Sequence, residues 1–129
     1  MSYYFKTVLQ SNFADSIVKT KEALQLEGFG VLTEIDMANT FKNKLDKEIA
    51  PYTILGACHP ASAYEAVGKE PLVGLMLPCN VVVRKIADDV TEVAAIDPIA
   101  SMMSIQNKDL GFVASTVQSK LQRVINSLQ

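Results

Sequence analysis

Of the 129 residues, 49% are apolar and a fifth are charged, the make-up of one folded globular domain rather than of a disordered segment. The net charge of −2, with lysines and arginines scattered, lacks the basic cluster of a nucleic-acid binder, and the longest apolar stretch, Leu72 to Val83, is too short and too broken by Gly74, Pro78 and Asn80 to span a bilayer. The N-terminal segment has neither the positive run nor the apolar core of a secretory signal, so the expectation is a cytoplasmic protein whose two cysteines stay reduced or hold something.

In chain order, Tyr3 to Leu9 reads as a first strand, rich in aromatic and β-branched residues. Ser11 or Asn12 then caps a helix over Phe13 to Glu27, with Phe13, Ile17 and Leu24 recurring at helical spacing beside Ala14 and Val18, and Gly28 placed for a left-handed stop. Phe29 to Ile35 gives a second strand. Asp36 caps a second helix in which Met37, Phe41 and Leu45 form the buried stripe and Lys42, Lys44, Asp46 and Lys47 the solvated face.

Tyr52 to Ala57 is apolar on both sides of its alternation, as a central strand is, and runs into Cys58-His59-Pro60. Pro60 suits the first position of a short helix that Gly68 closes. Lys69 to Pro78, punctuated by Pro71, Gly74 and Pro78, reads as a buried irregular crossing. Cys79 to Ile86 and Thr91 to Asp97 form a hairpin whose expected register sets Ile86 against Thr91, Lys85 against Glu92, Val83 against Ala94 and Asn80 against Asp97. A connector containing Met102 and Met103 leads to a final helix with Val113, Val117, Leu121, Val124 and Leu128 in one stripe. Gly28-Phe29-Gly30 lacks the third glycine and the following helix of a dinucleotide fingerprint.

Four segments in order, GFGVLTEID at Gly28 to Asp36, ILGACHP at Ile54 to Pro60, PLVGLMLPCNVVV at Pro71 to Val83 and AIDP at Ala95 to Pro98, resemble the domain of unknown function 302 family over most of the chain. The resemblance implies a single α+β domain, a small, mostly antiparallel sheet with helices packed mainly on one side, that commonly associates as a homodimer; it implies no reaction, and any cofactor is left unknown. His59 departs from the family pattern, which more often has Asn there.

Both cysteines, the single histidine and three of the five prolines fall between Ile54 and Asn80, so the candidate site is placed there, with Cys58, His59, Cys79, Asn80 and Asp97 as candidate ligand-binding residues at one end of the sheet. Cys58 sits at a strand-to-helix junction, where a helix N-terminus favours a thiolate, yet free cysteines ordinarily serve as small buried space-fillers. If Cys58 and Cys79 meet, two thiolates suit a soft metal ion, but only His59 and Asp97 remain to complete four ligands, and adjacent Cys58 and His59 diverge in an extended strand. Met102 and Met103 read as core or cover before thioether ligands. Asn80 and Asp97 serve equally as turn and strand-end caps.

Three functions are therefore carried forward: a cytoplasmic, dimeric binding or accessory domain taking a small molecule or soft metal at the cysteine end; an enzyme with a nucleophilic or redox thiol at Cys58, resolved by Cys79; and a structural interaction module.

Overall fold

The computed structural model describes residues 2–129 and contains one five-stranded sheet in the order β1-β5-β4-β3-β2, antiparallel at every pairing. The strands are β1 (Tyr4–Leu9), β2 (Gly30–Asp36), β3 (Tyr52–Cys58), β4 (Cys79–Ala87) and β5 (Val90–Ile96). Five helices connect or cover them: α1 (Phe13–Leu26), α2 (Met37–Leu45), α3 (Pro60–Lys69), the single turn α4 (Pro98–Ser101) and α5 (Gly111–Ser127). The fold is α+β.

Local chemistry places the helix ends. Asn12 caps α1 by accepting the Asp15 N–H at 2.8 Å, and Asp36 caps α2 by accepting the Asn39 N–H at 2.9 Å. At the far end of α1, Gly28 adopts φ +87°, Phe29 N–H bonds Leu24 O and Gly28 N–H bonds Gln25 O, a Schellman stop whose Phe29 and Leu24 side chains both join the core.

Alternation along the strands makes two unlike faces. Val81, Val83, Val93 and Ala95 are fully buried on one face, under α1 and α5, where Leu24, Leu121 and Val124 are equally buried. The expected α5 stripe is the one that packs, with Leu128 half-buried at its end. On α1 the buried face is Ser16, Thr20, Ala23 and Leu24, while Val18 is 53% exposed; the Ser16 and Thr20 hydroxyls donate to carbonyls one turn back, so the buried polar atoms are satisfied. A second, smaller cluster of Ala66, Val73, Leu110 and Val113 joins α3, the following 3₁₀ turn and the start of α5.

Four sequence expectations need correction. The hairpin register is shifted by one: Arg84, not Lys85, faces Glu92, and Val83 faces Val93, because Ile86 bulges between the Lys85–Thr91 and Ala87–Val90 pairs. The shift breaks the expected Asn80–Asp97 pair; Asn80 lies opposite Gly56 of β3, and Asp97 donates its N–H to Tyr3 O beyond the ladder. The α2 stripe is not core, since no residue of α2 is buried and Leu45 is 63% exposed; the element α2 lies against is β3. Gly68 lies inside α3, which runs on to Lys69, and the crossing after it is a 3₁₀ turn, Pro71–Met76, in which only Val73 is buried.

Candidate functional site

The two apolar clusters do not close fully against each other, and a cavity of about 280 Å³ remains where they meet, open on one side to solvent. Phe29, Ala57, Cys79 and Val117 contribute the wall on the main-core side, and Ala66, Leu77, Met102 and Val113 the wall on the other. The space arises from small side chains: Ala57, Cys58, Ser62, Ala63, Ala66, Cys79 and Ala114 all line it, so no large residue fills the gap between sheet and helices. β2 carries a bulge between Val31 and Thr33, and the extra residue, Leu32, also lines the cavity.

Cys58 and Cys79 reach this cavity from the ends of adjacent strands. Ala57 pairs with Cys79 across β3 and β4, which puts Cys58 one step further along and half-buried. Both thiols are free. Cys79 is 6% exposed, and burial, reinforced by the nearby Cys58 charge, pushes its pKa from an ordinary 9.0 up to about 11. It is a protonated thiol at neutral pH.

His59 follows directly and acts as the N-cap of α3: its Nδ1 accepts the Ser62 N–H at 3.4 Å and lies 2.8 Å from Ser62 Oγ, while Pro60 occupies the first helical position. Because Nδ1 is the acceptor, the neutral ring carries its proton on Nε2. Burial, followed by the positive charge of Lys120 on α5, lowers the His59 pKa and keeps the ring neutral. The ring stacks edge-on to Phe29 with centroids 5.5 Å apart, and a Cβ on Gly28 would come within 3.1 Å of His59 Cδ2, so the glycine that ends α1 also makes room for the imidazole.

The other two candidates lie elsewhere. Asn80 is exposed on the uncovered face of the sheet, in a shallow hollow with Tyr4, Tyr52 and Arg84. There Arg84 donates to Glu92 at 2.8 Å and Lys6 stands 3.5 Å from it; burial opposes the Glu92 charge, but the Arg84 hydrogen bond and the two cations outweigh burial and hold the carboxyl below its usual pKa. Asp97 is buried, caps α4 by accepting the Ile99 N–H at 2.9 Å, and accepts from Gln118 Nε2 at 3.1 Å and 3.2 Å, tying α4 to α5. The structure thus gathers Cys58, His59 and Cys79 around one cavity and leaves Asn80 and Asp97 outside it. Ser62, Phe29 and Lys120 were not singled out from sequence; the run of small residues in ACHPASAYEA was the available signal for Ser62. Among the described residues, no group of three or more His, Cys, Asp or Glu is arranged to hold a metal ion, and no helix is long and apolar enough to cross a membrane.

The crystal structure of an uncharacterized conserved DUF302 protein from Bacillus stearothermophilus is similar in fold, with a TM-score of 0.91, 22% identity and the whole of both chains covered. Comparison with curated proteins gives no match. The family model described as Domain of unknown function DUF302 matches residues 5–128, and the chain belongs to that family.

Proposed function

We propose that the protein is a small-molecule-binding domain whose ligand occupies the cavity walled by Cys58, His59 and Cys79. The observation that carries this reading is the cavity itself: its volume is close to the lower end of ligand sites, about 300–1,000 Å³, and its lining is apolar apart from His59, Ser62 and the two thiols. A soft metal has less support, because Cys79 is held protonated and, among the described residues, no three His, Cys, Asp or Glu side chains are arranged to share an ion. The two free thiols support a cytoplasmic location.

Thermal-shift screening of an apolar fragment set against the native protein and Ala63→Phe tests the reading. Ala63 is half-buried on the cavity wall, so phenylalanine there fills the space from a tolerant position. Fragments that stabilise the native protein and not the variant support the reading; equal shifts in both refute it.

The uncovered sheet face favours a second element of the reading, a homodimer formed through that face. Val82 and Ala94 line the hollow on that face beside Tyr52, and Glu92 is already paired with Arg84 and Lys6, so little unpaired charge would be buried on self-association. Val82→Glu should convert the dimer to a monomer in light scattering; a native monomer, or a dimer unaffected by the substitution, contradicts it. A thiol enzyme using Cys58 shares the same wall, but His59 Nδ1 is occupied by Ser62, and a resolving Cys79 would have to ionise against its burial.

A further inference from the structure

His59 and Ser62 are the two cavity-lining residues whose side chains carry nitrogen or oxygen. His59 Nδ1 is taken by Ser62, and Nε2, the nitrogen that carries the proton in the neutral ring, has no hydrogen-bond partner among the described residues. It lies beside Gly28, 3.2 Å from where a Cβ would stand. No aspartate or glutamate lines the cavity, so a cationic ligand would meet no counter-charge, whereas Lys120 is near enough to act on the His59 ring and adds a positive field at the same end. The remaining wall is carbon and sulfur.

Size narrows the ligand further. A volume of about 280 Å³, just under the usual range of ligand sites of about 300–1,000 Å³, limits the ligand to a small molecule, and the open side leaves one end of it in contact with solvent.

Resting on the small-molecule reading above, we propose that the ligand class is a medium-chain monocarboxylate, its apolar tail between Ala57, Ala66, Met102 and Val113 and one carboxylate oxygen accepting the Nε2–H of His59. The tail fills the gap between the two apolar clusters, and the head takes the His59 ring N–H, which has no partner among the described residues.

The test compares octanoate, octanol and octylamine by calorimetry on the full chain, with His59→Asp and Ala63→Phe alongside. Aspartate at position 59 still caps α3, so the fold is retained, but it replaces a donor by an acceptor and adds a negative charge where the head sits. The expected result is octanoate binding tightest, octylamine weakest, and His59→Asp weakening octanoate about tenfold or more while changing octanol about twofold or less. If octanol or octylamine binds as well as octanoate, or if His59→Asp leaves octanoate unchanged, and Ala63→Phe abolishes binding, the carboxylate is overturned and the cavity reading survives. If nothing binds, or binding persists in Ala63→Phe, both fall. Circular dichroism on each variant confirms that a loss is not unfolding.

Discussion

Cys79 makes the stability of the protein depend on alkaline pH. A thiol becomes charged by losing its proton, and the folded protein, with the Cys79 pKa at about 11 against an ordinary 9.0, holds that proton longer than the unfolded chain does. The contribution is therefore fully present below about pH 9 and is lost as pH climbs to about 11, because in that window the unfolded state alone has released the proton. Each pH unit costs about tenfold in the folding equilibrium, so two units amount to about 3 kcal/mol. Cys79→Ala removes the titrating group while deleting an atom from the core, at a pH-independent cost of about 1 kcal/mol. We predict that urea unfolding under reducing conditions shows the native protein more stable than Cys79→Ala at pH 7 and less stable at pH 11, the two curves crossing between. Alkaline titrations away from the two thiols are common to both proteins and cancel. A gap that stays constant from pH 7 to pH 11 would refute the reasoning.

Three further outcomes follow from the same geometry. Iodoacetamide at neutral pH should modify Cys58, which is half-buried on the open cavity, and spare Cys79 until the protein unfolds; peptide mass spectrometry showing both modified at similar rates would contradict the placement of the thiols. Gly56→Ala should cost about 1–3 kcal/mol in chemical denaturation, because a Cβ there would overlap Thr33 Oγ1 and come within 2.7 Å of Pro78 Cγ, with part of the loss recovered when Thr33→Ala is added; an unchanged midpoint speaks against this packing. Asp97→Ala should cost about 1–3 kcal/mol through the lost α4 cap and the stranded Gln118, yet leave fragment binding intact, and the reverse pattern would return Asp97 to the site.

What the sequence revealed was whatever depends on near neighbours. The Asn12 and Asp36 caps, the Gly28 stop and the α5 stripe each rest on chemistry within a turn or two of chain, and each is where periodicity and cap residues point. The hairpin register failed because one bulged residue, Ile86, reverses the pairing parity for the rest of the ladder, and nothing in the local charge pattern forbids it: Lys85 or Arg84 satisfies Glu92 equally well on paper. The burial of α2 failed because an amphipathic stripe records that a face is apolar, not that something covers it. For the site, the ACHP segment was legible as a strand-to-helix junction, whereas the cavity was not, since it is the gap between two clusters that bring together Phe29, Cys79, Met102 and Val113 from across the chain. Strand parity separates Asn80 from Cys79: neighbours in β4 point to opposite faces, and Cys79 is the one on the cavity side.

The claim that a small molecule occupies this cavity is tested most directly by methyl-resolved NMR during titration with octanoate and octanol. The account predicts shift changes concentrated at Ala57, Ala63, Ala66, Met102 and Val113, saturating with added ligand and absent in Ala63→Phe. Shifts confined instead to Ile54, Val82 and Ala94 on the uncovered sheet face, or no saturable change anywhere, would contradict it.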